Sequence, residues 1–166
     1  MFEAAYSLLS VFCEVGKVYG RKKIQKMVHL LEAAGTRMPF KYEYHYYGPY
    51  SAELQAEIND LVRQGFLDEN KADDAYIYEI TNKGRQFKEM LDRSGKTVEL
   101  NRELVRDMSQ KSSPFLEMVS TYAFLIDAGY DREKAKHKAI ELKPHLAHLI
   151  SQAISYYDEQ VVARTE

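Results

Sequence analysis

The chain contains no tryptophan, one cysteine and four prolines among its 166 residues. A single cysteine excludes an intrachain disulfide. Cys13 lies within AAYSLLSVFCEVG, an apolar helical pattern, where a buried and inert thiol is expected. Long apolar runs are missing too. The uncharged stretch at residues 4–13 falls well short of the roughly 20 residues that cross a bilayer. The start, Met-Phe-Glu, lacks the basic residues of a secretory signal, so a cytoplasmic protein is expected. Excess charge of either sign is absent. The net charge of −2 gives no global attraction to nucleic acid or anionic membrane, and leaves only local patches to bind polyanions.

Signatures of catalysis are also lacking. There is no phosphate loop, no dinucleotide glycine fingerprint and no H-E-x-x-H. His145 and His148 are spaced i, i+3 with His137 upstream, but no cysteine accompanies them, and surface histidines are the expected reading. A protein that is not an enzyme, with no catalytic residue, metal or cofactor, is therefore expected.

What is present is an ordinary globular balance, with 45% apolar and 29% charged residues, enough to bury a core. Phe2, Ala5, Tyr6, Leu9 and Phe12 recur at helical spacing and predict a first helix ending near Gly16. Ile24, Met27, Val28 and Leu31 predict a second over residues 21–34, closed by Gly35. Then comes FKYEYHYYGPYS, with five tyrosines in nine residues. Phe40, Tyr42, Tyr44 and Tyr46 alternate with Lys41, Glu43, His45 and Tyr47. That period of two predicts a short strand with one aromatic face turned to the core, and Gly48-Pro49 predicts a turn after it. Ser51 is placed to cap a third helix with Leu54, Ile58, Leu61 and Val62 inward, stopped by Gly65.

Phe66-Leu67, a charged stretch DENKADD and YIYEI predict a β-hairpin with that stretch as its tip. A helix over residues 83–93 follows. The order helix, helix, short strand, helix, two-stranded hairpin is that of a winged helix. The third helix then takes the recognition position and DENKADD the wing. Residues 93–96 form a candidate boundary, which divides the chain into a winged-helix domain at 1–95 and a C-terminal helical bundle at 96–166. In the second part Val98, Leu104, Val105 and Met108 share a face. Ser113 caps a nearly all-apolar helix with Pro114 in its first position, Gly129 ends it, and Asp131 caps the next. Pro144 restarts the chain into a helix striped with Leu146, Leu149, Ile150, Ala153, Ile154 and Tyr157. The expected fold is mainly α (α+β), with a small antiparallel sheet.

The segments GRKKIQKMVHLLEAAG, YHYYGPYSAELQAEINDLVRQGFLDE, YEITNKGRQF and SSPFLEMVSTYAFL resemble the YwgA family of small bacterial proteins, over most of the chain. The pairing of K-I-Q-K with Y-G-P-Y-S carries most of that likeness. The N-terminal pattern is also similar to the Panacea domain, an antitoxin module that binds varied toxins and in one known type serves as a protease adaptor. The resemblance implies a winged-helix-like fold and the binding of macromolecules, and supplies no catalytic residue.

Charge decides which macromolecule is expected. The third helix carries Glu53, Glu57 and Asp60, within about 60° of one another at about 100° per residue, against Arg63 alone. The wing carries Asp68, Glu69, Asp73 and Asp74 against Lys71. Duplex DNA rewards each neutralised phosphate through counterion release, and carboxylates forfeit that term. Only Gln55, Asn59, Arg63 and Gln64 are left to read bases there. A protein partner is therefore favoured, met by Tyr47, Gly48, Pro49 and Tyr50 together with Glu53, Glu57 and Asp60, since tyrosines at a rigid turn suit protein interfaces. The alternative is a DNA-binding winged-helix transcriptional regulator, dimeric through its C-terminal helices. It rests on the one basic patch, Lys17, Arg21, Lys22, Lys23 and Lys26. Three readings of that patch stay open: a solvated face paired with acids such as Glu32 or Glu43, a surface for an acidic protein, or a phosphate site. The run Arg132, Lys134, Lys136, Lys138 and Lys143 reads as an ordinary exposed helix.

Overall fold

The computed structural model describes residues 1–162, so the last four of the expected C-terminal bundle lie outside the described residues. Helix α1 (Glu3–Val15) buries Leu8, Leu9, Val11 and Phe12 completely, which makes it a central helix. It ends where expected, at Gly16 in a positive-φ conformation, whose N–H bonds the carbonyl of Phe12. Strand β1 (Lys17–Tyr19) follows, an element that periodicity does not predict. Three residues with one inward side chain, Val18, are too few to show a period of two. Helix α2 (Arg21–Ala33) is buried on nearly every side from Ile24 to Leu31.

The tyrosine-rich segment differs from its expected form. Strand β2 (Glu43–His45) pairs antiparallel with β3 (Gly48–Tyr50) in the register Glu43↔Tyr50, Tyr44↔Pro49, His45↔Gly48. The turn is thus Tyr46-Tyr47, and Gly48-Pro49 lies in the returning strand. Tyr46 accordingly leaves the aromatic face assigned to it and is 83% exposed, while Phe40 is buried.

Helix α3 (Ala52–Arg63) is capped as expected, with the Ser51 hydroxyl accepting the Leu54 N–H at 3.1 Å. Leu54, Ile58 and Leu61 are buried and Val62 is partly so. Strands β4 (Leu67–Ala72) and β5 (Ala75–Ile80) form the hairpin, in register from Leu67↔Ile80 to Ala72↔Ala75. Most of DENKADD is therefore strand, and the tip narrows to Asp73-Asp74. β1 joins the free edge of β5, giving the sheet order β1-β5-β4. The third strand of the sheet thus precedes α2 in sequence, and the tyrosine segment forms a separate two-stranded sheet.

Helix α4 (Asn82–Arg93) is capped by Thr81. Val98 lies in the loop beyond it, off the face shared by Leu104, Val105 and Met108 of α5 (Arg102–Ser109). Helix α6 (Ser113–Asp127) is capped by Ser112, one residue before the expected cap, with Ser113 and Pro114 in its first turn. Its fully buried Leu116, Met118, Val119 and Tyr122 make it the axis of the second half. Each such side chain contributes roughly 1.5–3 kcal/mol by leaving water. α6 packs against α2, against α7 (Arg132–Leu142) and against α8 (Ile150–Tyr156). Between α7 and α8, Pro144 opens a 3-10 turn rather than an α-helix. One hydrophobic cluster runs from Ala5 to Val161 without a break at residues 93–96.

Candidate functional site

α2 and α6 are held together by more than apolar contacts. Between them lies the β2–β3 hairpin, fastened by side chains that the sequence presents as ordinary polar residues. Gln25 grips Ser51 from both sides: its Oε1 accepts the Ser51 N–H at 2.9 Å, and its Nε2 donates to the Ser51 carbonyl at 3.0 Å. The Lys26 Nζ donates to the Pro49 carbonyl at 2.9 Å. The Lys143 Nζ donates to the Tyr46 carbonyl and pairs with the Glu117 carboxylate at 3.0 Å. Two hairpin carbonyls and that of Ser51, just beyond the hairpin, are thus satisfied by buried side chains, as buried backbone requires. The Q-K of K-I-Q-K and the G-P-Y-S of the turn segment are two halves of one joint.

Gly48 completes it. Its φ of +93° is left-handed, and a Cβ there would meet Thr121 Oγ1 at 3.3 Å and Lys26 Cε at 3.4 Å. Gly48 and Pro49 are both buried, so they shape the hairpin and offer no contact surface, contrary to their expected place among docking residues.

The rings divide by side. Tyr42 turns inward against His29, with ring centroids 4.8 Å apart, and Tyr44 packs towards Phe124. Tyr46 and Tyr47 meet edge to face at the turn, and Tyr47 is 47% exposed. His45 stacks on Tyr50 at 4.8 Å. Beside this tip lies a cleft of about 320 Å³, whose walls include Arg21, Lys22, Lys26, Tyr47, Tyr50 and Gln55.

The acidic residues do not join the tyrosines. Glu57 and Asp60 line a different groove, of about 500 Å³, with Phe2, Phe66 and Phe87. Burial raises the Glu57 pKa, and Asp60 is paired with Arg63. Glu53 accepts the Lys41 N–H at 3.2 Å. The expected single docking face is therefore two faces on opposite flanks of α3.

The basic patch is likewise dispersed. Lys17 faces Glu79 at 3.8 Å. Arg21 donates to the Tyr78 hydroxyl at 2.9 Å and reaches Glu69 at 3.4 Å. Lys23 donates to the Ser109 carbonyl. Lys26 is 1% exposed, and burial pulls its pKa down to about 8. Neither Glu32 nor Glu43 serves these cations. Lys143 is 3% exposed, which corrects its assignment to an exposed basic run. Lys17, Arg21 and Lys22 stay at the surface, and the Lys22 Nζ lies 3.3 Å from the centre of the Tyr47 ring.

Sequence reasoning passed over His29 and took Glu32 only as a possible surface partner of the basic patch. His29 is buried with Nδ1 2.6 Å from Ser120 Oγ, and burial holds its pKa down to about 3. Glu32 has a buried carboxylate oxygen without a hydrogen bond, and burial raises its pKa to about 7. A hint existed: both sit on α2 within one turn of apolar neighbours. Their effects on stability oppose each other. Between pH 4.5 and 7 the folded chain keeps a proton on Glu32 that the unfolded chain has released, so stability falls as pH rises through that window. Between pH 6.5 and 3 the unfolded chain protonates His29 while the folded chain resists, so stability falls as pH drops. Glu32→Gln is therefore expected to raise stability at pH 8 by about 1–2 kcal/mol after allowance for partial solvation, and to change little at pH 4. Urea titrations at the two pH values check it; an equal effect at both would refute the assignment.

Among the described residues no cluster of three histidine, cysteine or acidic side chains is arranged to hold a metal, and no helix is long and apolar enough to cross a membrane. Cys13 is free and half-buried, with burial raising its pKa.

No protein-family model matches the chain. It is 33% identical over 168 residues to Uncharacterized protein YwgA of Bacillus subtilis (strain 168), an alignment that covers 96% of this chain and 97% of that protein. With a match of that extent across both halves, joint and helical bundle alike, the chain belongs to the YwgA family.

Proposed function

We propose that this protein is a non-enzymatic protein-binding module of winged-helix type, antitoxin-like or adaptor-like, which docks its partner through the Tyr46-Tyr47 tip of the β2–β3 hairpin. The observation that carries the reading is the contrast within that hairpin. Its backbone is pinned by buried Gln25, Lys26 and Lys143, while its tip presents two large exposed rings. Rings already fixed in place lose little freedom on binding, and buried tyrosines are among the residues that carry most interface energy.

The winged-helix assignment is supported by the order α1, β1, α2, α3, β4, β5 and the sheet β1-β5-β4, with the tyrosine hairpin inserted before α3. The similarity of K-I-Q-K and Y-G-P-Y-S to the Panacea domain favours an antitoxin or adaptor role. Duplex DNA is the weaker reading. On the exposed flank of α3, Arg63 is already held by Asp60, and the hairpin tip is Asp73-Asp74.

Affinity capture from the native cell lysate, half of it nuclease-treated, tests the proposal. The wild-type chain is expected to retain a protein partner in both halves, and the Tyr46→Ala/Tyr47→Ala double variant to lose it at least tenfold with an unchanged melting temperature. Tight binding of duplex DNA at low salt, with no nuclease-resistant partner, would replace this reading by the transcriptional one.

A further inference from the structure

The cleft beside the tyrosine tip has an uneven chemistry. Its lining holds three cations, Arg21, Lys22 and Lys26, and no carboxylate. Arg21 is committed to Tyr78 and Glu69. The other two are not. Neither Lys22 nor Lys26 has a carboxylate within 4.0 Å among the described residues. The Lys26 ammonium, almost fully buried, donates one hydrogen bond, to Pro49, where three are available. Glu117, whose charge Lys26 senses beyond 4.0 Å, is engaged by Lys143. A buried cation with unused donors is costly, and a charged acceptor entering the cleft relieves that cost. Tyr50, stacked on His45, and Gln55 are also among the lining groups.

We propose that this cleft receives a carboxylate side chain from an acidic segment of the partner polypeptide, with Lys22 and Lys26 as its donors and Tyr47 and Tyr50 as its walls. The proposal rests on the docking function above and specifies the partner's chemistry. Size and surroundings favour a carboxylate over a nucleic-acid backbone. About 320 Å³ admits one or two side chains. Arg21, one of the lining cations, is already paired with Glu69 of β4, a carboxylate that opposes a polyphosphate running past that wall. A single acidic side chain needs only the cleft.

The full chain, isotopically labelled, would be titrated with the blocked peptide Ac-Leu-Glu-Asp-Leu-NH2 and with its amide isostere Ac-Leu-Gln-Asn-Leu-NH2. Amide shifts of Lys22, Lys26, Tyr47 and Gln55 are followed by NMR. The acidic peptide is expected to move these resonances with an affinity about tenfold or more above that of the isostere. Lys22→Glu is expected to abolish the difference, and Lys22→Arg to keep it. Lys22 is exposed, so neither change disturbs folding. Equal shifts by both peptides, no shift at millimolar peptide, or movement of the same resonances only by a 20-base-pair duplex would each overturn the inference. If the acidic peptide fails while the Tyr46→Ala/Tyr47→Ala variant still loses its partner, the docking function survives and this inference falls. If that variant keeps its partner, the docking function falls first.

Discussion

Replacing Gly84 with alanine is expected to lower stability by about 3 kcal/mol, a fall of roughly 6–12 °C in melting temperature for a chain of this size. Helix propensity alone argues the opposite. Gly84 lies in the first turn of α4, and alanine is favoured over glycine inside a helix by about 1 kcal/mol. Packing reverses the sign. A Cβ at Gly84 would stand 2.2 Å from the Phe66 carbonyl oxygen and 3.0 Å from Ile80 Cγ1. The first of these is backbone, and it is held: the Phe66 carbonyl accepts the Thr81 N–H at 3.1 Å and the Thr81 hydroxyl at the same distance. Relief therefore requires moving the start of β4 away from α4 and opening the Thr81 cap. Thermal melts of wild type and Gly84→Ala decide the matter, and an unchanged or raised midpoint would contradict the close approach.

The second large effect is expected at the buried pair that fastens the tyrosine hairpin to α6. Lys143→Ala is expected to cost about 3 kcal/mol or more, because Glu117, 7% exposed, loses the cation that balances it in a low-dielectric site. The Tyr46 carbonyl loses its donor in the same step. Removing both charges is expected to cost far less. In Lys143→Met/Glu117→Leu the apolar replacements fill a similar volume and leave neither member of the pair as an unpaired ion. A urea-unfolding cycle over the two single variants and the double measures this coupling. A loss in the double equal to the sum of the singles would show that the pair acts through separate contacts. The cycle also bears on docking, since a hairpin released from Lys143 presents Tyr46 and Tyr47 less rigidly and is expected to bind its partner more weakly.

The two effects share a cause that sequence does not display. At Gly84 and at Lys143 the energy depends on atoms far along the chain: Phe66 for the first, Glu117 and Tyr46 for the second. Lys143 and Tyr46 are 97 positions apart. Nothing near Lys143 distinguishes it from the exposed lysines of α7, so it reads as surface. Lys26 is the same case on α2, where its position among Arg21, Lys22 and Lys23 suggests a shared basic face. The tyrosine segment shows how a local rule fails. Alternation over Phe40, Tyr42, Tyr44 and Tyr46 is sound until the chain turns, and the turn comes one dipeptide earlier than Gly48-Pro49 implies. Tyr46 is thereby carried from the core side to solvent. Gly48 is nonetheless needed, for its left-handed φ and for the close approach of Thr121 and Lys26.

What the sequence determined by itself is most of the helices and their approximate limits, the 3-10 turn at Pro144 apart. Caps at Ser51 and Asp131, the glycine after α1 and the 3.6-residue apolar period are interactions between near neighbours, complete within a few residues. Only the tertiary structure decided which strand closes the main sheet, which charged side chains go inside, and which tyrosines stay out. Those outcomes turn on partners brought together across the chain. The desolvation of an ion or the pairing of a three-residue strand is favourable only once the opposite partner is in place.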